Sequence, residues 1–494
     1  MSKIITLKSS KVKESLYDDK DAVVVFLTKE YLEYVPQLLL PKDLQEAIDY
    51  ADEQDENMTD KGKITPLVIE RPDGWMRLIL VGLGERQAWN PMSLREGAGS
   101  AIRELWKGKL KQVAVVAPLL MNPARAQFLK ALGEGLLLGN YTFDKYKKNA
   151  GKKEKLTITI GSSIKAGAEI LKTASTICDS ICFARDLANE PGNVIWPEIM
   201  AEKAVQTGLD SGLEVEVLTE KEMQEKGMNA ILAVGQGSIH APRMITLKYN
   251  NGGNKPYTAF VGKGITFDSG GISLKPGDGM GEMKDDMSGA AAVLGAIRAI
   301  AALKLPVNII AVLACAENMP GGRAQRPGDI VKAASGTTIE VVNTDAEGRM
   351  VLADAVWYAC QKGAKQVIDI ATLTGAVTIA LGDHTSAIVC NDDDLTQELI
   401  NAGKRCGEGW WPLPILPDCG EAIKSSVADL KNSAGRAGGV ITGGMFIGSF
   451  VKEGLPWAHL DIGGTSTAKK TEGHIVEGCT AFGTATLIEL IRGI

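Results

Sequence analysis

The sequence predicts an α/β protein with two domains. A smaller N-terminal α/β domain is expected over residues 1–165, and a larger C-terminal α/β domain over residues 166–494, with a mostly parallel central sheet flanked by helices. A length of 494 residues exceeds that of an ordinary single domain. Apolar, β-branched runs alternate with helical patterns, as in parallel sheets. A helical pattern from about Ala166 to Leu187 separates two such regions and is expected to join the domains.

The N-terminal region contains three strand candidates, with helical stretches between them. These strands are predicted over Ala22–Leu27, Leu78–Gly82 and Val113–Ala117. The charged run Asp144–Lys155 has no apolar periodicity and is expected to form an exposed loop or edge.

In the C-terminal region, strands alternate with helices. We predict strands over Arg243–Tyr249, Thr258–Val261, Val307–Ala314, Thr337–Val342 and Val367–Ala371. A helix is expected from Ser288. This alternation favours a mostly parallel sheet.

Composition excludes several classes of protein. The net charge of −6 gives no general attraction for nucleic acid. No apolar run reaches the roughly 18 residues of a membrane span, and the N-terminus lacks the apolar core of a signal peptide. Eight unclustered cysteines, including Cys178 and Cys182 in the predicted joining helix, indicate reduced thiols, so we expect a cytoplasmic protein.

The most informative stretch is Asn-Thr-Asp-Ala-Glu-Gly-Arg-Met at residues 343–350. If extended geometry continues after the preceding strand, then Asp345, Glu347 and Arg349 project to one side. Neighbouring carboxylates repel unless a cation or a shared proton neutralises them, and a divalent metal would do so. A solvated turn with an incidental ion pair explains the stretch alone equally well.

A second polar cluster, between residues 261 and 292, shifts the balance towards a metal site. Lys263 and Asp268 follow a strand, Lys275 follows a glycine pair, and Asp286 precedes a helix. A surface role for each lysine and a helix N-terminal role for Asp286 remain alternatives. A neutral lysine amine is able to ligate a cation, but position alone does not say which lysine would do so.

Together these motifs resemble those of the cytosol or leucyl aminopeptidases, the two-metal peptidase family M17, of which aminopeptidase A is one type. The octapeptide matches the family signature, with Met350 in place of leucine, and residues 261–290 match the family's upstream pattern. The resemblance extends from about Arg185 nearly to the C-terminus.

The resemblance implies two divalent metal ions per subunit, Mn²⁺ or Zn²⁺, with bicarbonate as a further cofactor. The implied metal ligands are Lys263, Asp268, Asp286, Asp345 and Glu347. Asp268 and Glu347 would bridge both ions, Lys263 and Asp286 would complete the tighter site, and Asp345 would serve the more exchangeable one. Lys275 would act as the electrophile, and Arg349 would hold the bicarbonate.

The resemblance also implies a substrate pocket and an assembly. The implied pocket residues are Met283, Thr372, Gly375 and Met445. Methionine and threonine walls favour leucine and other apolar N-terminal residues of peptides. The family implies a homohexamer, and no membrane partner is expected.

The four histidines show no ligand spacing and no His-Glu-x-x-His motif, so we interpret them as structural or surface residues. They are His240, His384, His459 and His474.

A DNA-binding accessory or regulatory protein on the same scaffold is the alternative function. That hypothesis rests on the basic residues from Lys145 to Lys155, whereas the acidic overall charge of the chain disfavours it. A gel shift at low salt distinguishes the two hypotheses.

Overall fold

The structure is a computed structural model that describes residues 3–72, 74–118, 125–148, 150 and 154–493. The chain divides into two compact units, Met1–Asp179 with Lys469–Glu477, and Ser180–Ala468 with Gly478–Ile494. The division lies inside the helix Gly167–Asn189, which covers the joining helix expected from the sequence. The boundary predicted between residues 165 and 166 lies just before this helix, and residues 469–477 return to the first unit.

The first unit contains a six-stranded sheet with helices. The strands are β1 (Lys3–Ser10), β2 (Ala22–Leu27), β3 (Ile64–Arg71), β4 (Gly74–Gly82), β5 (Gln112–Val116) and β6 (Glu154–Gly161), and the helices are α1 (Lys42–Gln54), α2 (Pro91–Leu105), α3 (Arg125–Leu138) and the start of α4 (Gly167–Asn189). The strand order is β1-β6-β5-β2-β4-β3. Every neighbouring pair is parallel except β4 and β3.

Both faces of this sheet are buried, as strand β2 shows. Val24 and Phe26 point into one apolar cluster, and Val23, Val25 and Leu27 into another. This alternation follows from the two-residue period of a strand.

The three strands predicted for this unit correspond to β2, β4 and β5. Of the charged run expected to form a loop, residues 149 and 151–153 lie outside the described residues, and Glu154 and Lys155 begin β6.

The second unit contains a larger sheet and two small ones. The strands of the unit are β7 (Glu214–Leu218), β8 (Arg243–Asn250), β9 (Tyr257–Asp268), β10 (Asn308–Asn318), β11 (Ile330–Lys332), β12 (Thr338–Glu340), β13 (Ala364–Ala371), β14 (Thr385–Cys390), β15 (Gly409–Leu413), β16 (Leu430–Lys431), β17 (Trp457–Asp461), β18 (Thr467–Ala468) and β19 (Gly478–Cys479). After α4, its helices are α5 (Pro197–Ser211), α6 (Glu220–Glu225), α7 (Asn229–Gly235), α8 (Ser288–Ala302), α9 (Gly348–Gln361), α10 (Ala376–Leu381), α11 (Asp393–Cys406), α12 (Pro417–Ala422), α13 (Gly439–Gly448) and α14 (Thr484–Arg492).

Eight strands form the main sheet of this unit, in the order β15-β14-β17-β13-β9-β10-β8-β7. The four central strands, β17, β13, β9 and β10, are parallel, and antiparallel pairs occur only towards the edges. The apolar core of the unit includes residues from the central strands and from helices α7, α9 and α13. This is the mostly parallel sheet flanked by helices that the sequence predicts.

Two central strands are longer than predicted. The strand predicted over Thr258–Val261 extends to Asp268 as β9, so Lys263 lies inside a strand rather than in a loop. The strand predicted over Val307–Ala314 continues to Asn318 as β10. Both strands run on because their last residues pair with each other, with Asn318 opposite Asp268.

The strand predicted over Thr337–Val342 is shorter, and the extended geometry expected after it is wrong. Strand β12 covers only Thr338–Glu340, and Ala346 N–H donates to the carbonyl of Asn343 in a turn. Glu347 has helical backbone angles, and α9 begins at Gly348. The extended geometry ends here because the segment turns into a helix and does not pair with another strand.

No helix in the described part of the chain combines the length and apolar character needed to cross a membrane.

Candidate metal centre

The polar side chains predicted from the two motifs meet at one edge of the main sheet. Asp268 is the last residue of β9, Asn318 is the last residue of β10, and Thr372 directly follows β13. These strands are parallel neighbours, so their carboxyl ends lie at the same edge. In open α/β sheets this edge is where binding sites form.

A pair of glycines turns the chain sharply after β9. Gly270 has φ +86° and Gly271 has φ +64°, in the left-handed region that side chains rarely adopt. A Cβ at Gly270 would lie 2.5 Å from the carbonyl oxygen of Ser273, and one at Gly271 would lie 2.7 Å from Asn318 Oδ1. The turn therefore requires glycine at both positions, and it leads the chain back to place Lys275 beside Asp268.

Three buried carboxylates form the centre of the site. Asp268, Asp286 and Glu347 each offer an oxygen, and these oxygens all lie within 4.8 Å of one another. Glu347 is 1% exposed, Asp268 2% and Asp286 5%, so water does little to screen their repulsion. The sequence expectation that Asp268 and Glu347 lie close together agrees with this geometry.

Lys263 lies on one side of the carboxylates. Its Nζ is 2.8 Å from Asp286 Oδ1 and 2.9 Å from Glu347 Oε1, and it donates to the carbonyl of Thr372 at 3.0 Å. Thr372 Oγ1 in turn donates to Asp286 Oδ1 at 2.7 Å. Gly348 leaves room for the lysine, since a Cβ there would lie 2.7 Å from Nζ.

Lys275 lies on another side and is more exposed. Its Nζ is 2.9 Å from Asp268 Oδ2 and 2.6 Å from Asp345 Oδ1. The Lys275 side chain is 22% exposed, against 3% for Lys263, so Lys275 is the lysine that a molecule arriving from solvent would meet.

Burial and mutual repulsion shift the titration of the carboxylates. Burial raises the pKa of Asp286 well above its ordinary value. Burial, reinforced by the charge of Asp268, also raises the pKa of Glu347. Each shift means that the ionised form is held at a cost, which positive charge among the oxygens would relieve.

The pKa values of the two lysines are also raised, but by the neighbouring negative charges. Burial by itself lowers the pKa of Lys263, but Asp286 and Glu347 outweigh burial and raise it. Asp268 and Asp345 likewise raise the pKa of Lys275 against the effect of burial. The carboxylates thus favour ammonium groups, and only positive charge placed among them would favour the neutral amine that a ligand role requires.

The donor set fits divalent cations. Four carboxylates, those of Asp268, Asp286, Asp345 and Glu347, face the two ammonium groups, so negative charge is in excess by two. Asp286 Oδ2 and Glu347 Oε2 are buried and accept no hydrogen bond from any described residue. Buried, unpaired carboxylate oxygens are costly, and oxygen-rich sites suit hard and borderline divalent ions.

Arg349 lies at the start of α9, next to this cluster in sequence. It is 8% exposed, and its Nε makes no hydrogen bond to a described residue. Burial lowers the pKa of its guanidinium, while the charges of Glu347 and Asp461 oppose that shift. A Cβ on Gly443 would lie 3.3 Å from its NH2 group, so glycine at 443 leaves space for the guanidinium.

The predicted pocket residues lie on three segments around these groups. Thr372 contacts Asp286 directly, and Gly375 precedes the first residue of α10. Met283 lies in the 3₁₀ turn Met280–Asp285, and this turn ends directly before the cluster residue Asp286. Met445 lies on α13, half-buried against the apolar core.

Among the described residues, the group that could hold a metal consists of three carboxylates and includes no histidine. His459 is fully buried on β17, with its Nδ1 2.5 Å from Asp369 Oδ1 on β13. Trp457 Nε1 donates to the other oxygen of Asp369 at 2.7 Å. His240 stacks on Trp196, with ring centroids 4.8 Å apart, and His384 is exposed beside Asp383.

Sequence reasoning missed two polar residues at the ends of central strands. Asn318 ends β10 and donates to Asp268. Asp461 ends β17, and its oxygens accept hydrogen bonds from Leu373 N–H, Thr374 N–H and Thr374 Oγ1, which hold the loop after β13. In both cases the sequence offers a signal, which is a polar residue at the end of an apolar run. Extending the strand predicted over Val307–Ala314 to the end of that run would have identified Asn318.

The chain matches two family models. The model described as the cytosol aminopeptidase family, catalytic domain, matches residues 182–488. The model for the N-terminal domain of the same family matches residues 22–150.

Individual proteins agree with these matches. A probable cytosol aminopeptidase of Geotalea uraniireducens (strain Rf4) is 45% identical over 427 residues, covering 85% of this chain and 86% of that protein. A tomato leucine aminopeptidase mutant superposes with a TM-score of 0.89 at 29% identity, covering 100% of this chain and 97% of that one. The bottromycin maturation enzyme BotP, solved in complex with Mn, superposes with a TM-score of 0.86 at 31% identity, covering 96% and 99%.

Proposed function

Since the chain belongs to the cytosol aminopeptidase family and is a metal-dependent aminopeptidase, we propose that it releases leucine and other apolar residues from the N-termini of peptides, using two divalent cations per subunit. The observation that carries this proposal is the group of three buried carboxylates, within 4.8 Å of one another, with two oxygens that accept no hydrogen bond from the part of the chain that the structure describes.

The proposed ligands divide between the two ions. Asp268 and Glu347 would be shared by both ions; Glu347 Oε1 lies 2.9 Å from Lys263 Nζ, and Asp268 Oδ2 lies 2.9 Å from Lys275 Nζ. Lys263 and Asp286 are deeply buried and would complete the tighter site, and Asp345, whose side chain is 34% exposed, would serve the exchangeable one. Mn²⁺ and Zn²⁺ both suit carboxylate oxygens with one amine.

When bound, two such cations supply Lewis acidity and lower the pKa of a water towards roughly 7. The role of Lys275 is to stabilise the negative charge that develops on the oxygen of the scissile carbonyl. Its ammonium group is suited to this role because it is half-buried, already oriented by Asp268 and Asp345, and partly open to solvent.

We assign Arg349 to holding a small anion such as bicarbonate, which would carry the proton during hydrolysis. Its buried Nε has no partner among the described residues, so the guanidinium has donors free for an anion. A planar guanidinium binds a planar oxyanion through paired hydrogen bonds.

Met283, Thr372, Gly375 and Met445 are the proposed walls of the pocket for the first side chain. An apolar wall binds leucine by burying its surface, whereas an aspartyl side chain would lose hydration without gaining a partner. The excess negative charge of the cluster acts in the same direction.

The test compares leucyl and aspartyl dipeptides on protein loaded with Mn²⁺, and on the same protein after treatment with a chelator. We expect kcat/KM to be at least tenfold higher for the leucyl substrate, since one buried side chain contributes about 1.5–3 kcal/mol. Hydrolysis should stop without metal and return when Mn²⁺ is restored. Comparable kcat/KM for both substrates would contradict the proposed preference.

We also propose that the chain assembles as a homohexamer in the cytoplasm. Both proposals rest on membership of the family, and a native mass near six times that of one 52.5 kDa subunit is the expected result of light scattering.

A further inference from the structure

Asn318 is a buried amide between the two segments that carry the proposed metal ligands. It ends β10 opposite Asp268, the end of β9, and is 1% exposed. Its Nδ2 donates to Asp268 Oδ1 at 2.8 Å and to the carbonyl of Thr344 at 3.0 Å. Both partners are acceptors, so the orientation of the amide follows from its surroundings.

The first hydrogen bond decides which oxygen of Asp268 faces the cluster. Asp268 Oδ1 accepts from Asn318 and also from Gly270 N–H at 2.8 Å. Asp268 Oδ2 is the oxygen that lies 2.9 Å from Lys275 Nζ. With Oδ1 occupied by two donors, the carboxylate is held in one rotamer and presents Oδ2 to the site.

The second hydrogen bond joins the other ligand segment. Thr344 directly precedes Asp345 in the signature octapeptide, and its carbonyl is held by Asn318. Thr344 Oγ1 donates to the carbonyl of Gly270 and accepts from Ser273 N–H, so the same residue also holds the glycine turn. Asn318 therefore bonds to Asp268 and to the backbone of the signature segment, whereas Lys275 joins Asp268 to the Asp345 side chain.

The backbone of Asn318 adds a third attachment. Its carbonyl accepts from Ser269 N–H at 3.0 Å and from Ser269 Oγ at 2.7 Å. The end of β10 is thus fastened to the residue after Asp268 independently of the side chain. Removing the amide would leave the strand ends paired, so the side chain's effect on the site is separable from the fold.

We propose that Asn318 is a positioning residue that sets the affinity of the site for divalent cations, by fixing the Asp268 carboxylate and holding it in register with the segment 344–347. This inference rests on the proposed function, because it takes Asp268 and Glu347 to be metal ligands. Groups that orient metal ligands typically change affinity by about 10–100-fold when they are removed.

The test measures the dissociation constant for Mn²⁺ in the absence of substrate, from the electron paramagnetic resonance of free Mn²⁺, on the full chain. We expect Asn318→Ala to raise that constant by about 10–100-fold. Its hydrolytic activity should return as the Mn²⁺ concentration is raised, which a purely structural defect would not show.

Asn308 provides the matched control. It is a buried asparagine at the other end of the same strand, where it accepts from Gly252 N–H and donates to the carbonyls of Gly253 and Lys255. Asn308→Ala should lower the stability of the protein but leave the Mn²⁺ constant within about twofold. If Asn318→Ala does not fold, Asn318→Ser fills part of the space, and its hydroxyl stops one bond short of both acceptors.

The outcomes separate this inference from the proposed function. If wild-type protein binds Mn²⁺ and Glu347→Gln does not, the proposed metal site stands. An unchanged Mn²⁺ constant in both Asn318 variants, or an equal rise in Asn308→Ala, then overturns the role of Asn318 alone. If Glu347→Gln binds Mn²⁺ as tightly as wild type, the proposed site fails, and this inference fails with it.

Discussion

At the scale of single residues, the two lysines of the site differ mainly in their access to solvent. Both are surrounded by carboxylates that raise their pKa. Lys263 is enclosed by Asp286, Glu347 and the Thr372 carbonyl, whereas Lys275 keeps part of its surface open. This difference favours Lys263 as the ligand and Lys275 as the electrophile, a choice that residue order alone leaves open.

Lys275→Ala should retain its metals and lose about 10²–10³ in kcat, the usual effect of removing one donor that stabilises an oxyanion. Bound metal and kcat should be measured on the same preparation. Lys362→Ala is the matched control, because Lys362 has a similar exposure and pairs with Glu216 at 2.6 Å away from the cluster. Full turnover by Lys275→Ala would show that the assigned role is wrong.

Glu347→Gln should lose both bound Mn²⁺ and activity, since a neutral amide of the same shape replaces a carboxylate that we propose as a ligand of both ions. Metal content after gel filtration and kcat/KM are the two measurements. Glu489→Gln serves as control, because Glu489 is also buried but pairs with Arg405 and Arg492. Retention of metal by Glu347→Gln would contradict the ligand assignment.

At the scale of elements, helix α9 directly follows Glu347 and is held in place by another buried carboxylate, that of Asp354. Asp354, five residues after Arg349, accepts from Ala230 N–H, Ile231 N–H and Ala334 N–H at 2.8–3.0 Å. Burial raises the pKa of Asp354 from 3.8 to about 7, against the lowering effect of the three donors. The carboxylate thus joins α9 to the start of α7 and to the residues after β11.

The raised pKa of Asp354 makes its contribution to stability fall as pH rises. Between about pH 4 and 7 the folded protein binds a proton that the unfolded chain has released, so the free energy of unfolding decreases over this range. Asp354→Asn should remove that part of the pH dependence. It should also cost about 1–3 kcal/mol at low pH, because its amide cannot accept all three N–H groups. Urea unfolding from pH 4 to 8 measures both, and an identical pH dependence in the variant would refute the assignment.

At the scale of the whole molecule, the parallel sheet brings distant parts of the sequence to one edge. Lys263 and the carbonyl it contacts are 109 residues apart, and Asn318 lies 50 residues from Asp268. Folding therefore gathers repelling carboxylates, at a cost that a bound cation would offset. Metal binding and folding are expected to be linked.

Adding Mn²⁺ should stabilise the folded protein by about 2.7 kcal/mol at a free concentration one hundred times the dissociation constant. The melting temperature should rise with Mn²⁺ and fall when a chelator is added. Calorimetry of wild type and of Glu347→Gln checks this, since the variant should melt at the same temperature with and without Mn²⁺. An equal rise in both proteins would mean that the ion binds elsewhere.

Much of the fold was predictable from local patterns. Strand β2 has the predicted ends, because charged residues flank a short β-branched run, with Asp21 before it and Lys29 soon after it. Helix α4 differs from its predicted ends by one or two residues. The ends of β9 and β10 were not predictable, because pairing between Asp268 and Asn318 extends strands into polar sequence. The turn at residues 343–347 was missed because its backbone is determined by helix α9 and not by the preceding strand.

The sequence by itself determined the family, the α/β class and the chemical types of the groups at the site, because these depend on the identity and spacing of residues such as Asp345 and Glu347. Only the tertiary structure decided that Glu347 reaches Asp268 from the residue just before helix α9, that Lys263 is enclosed within a strand, and that Asn318 donates to the Asp268 carboxylate. Such facts depend on which strand ends become neighbours, and hydrogen bonds between segments far apart in the chain set that arrangement.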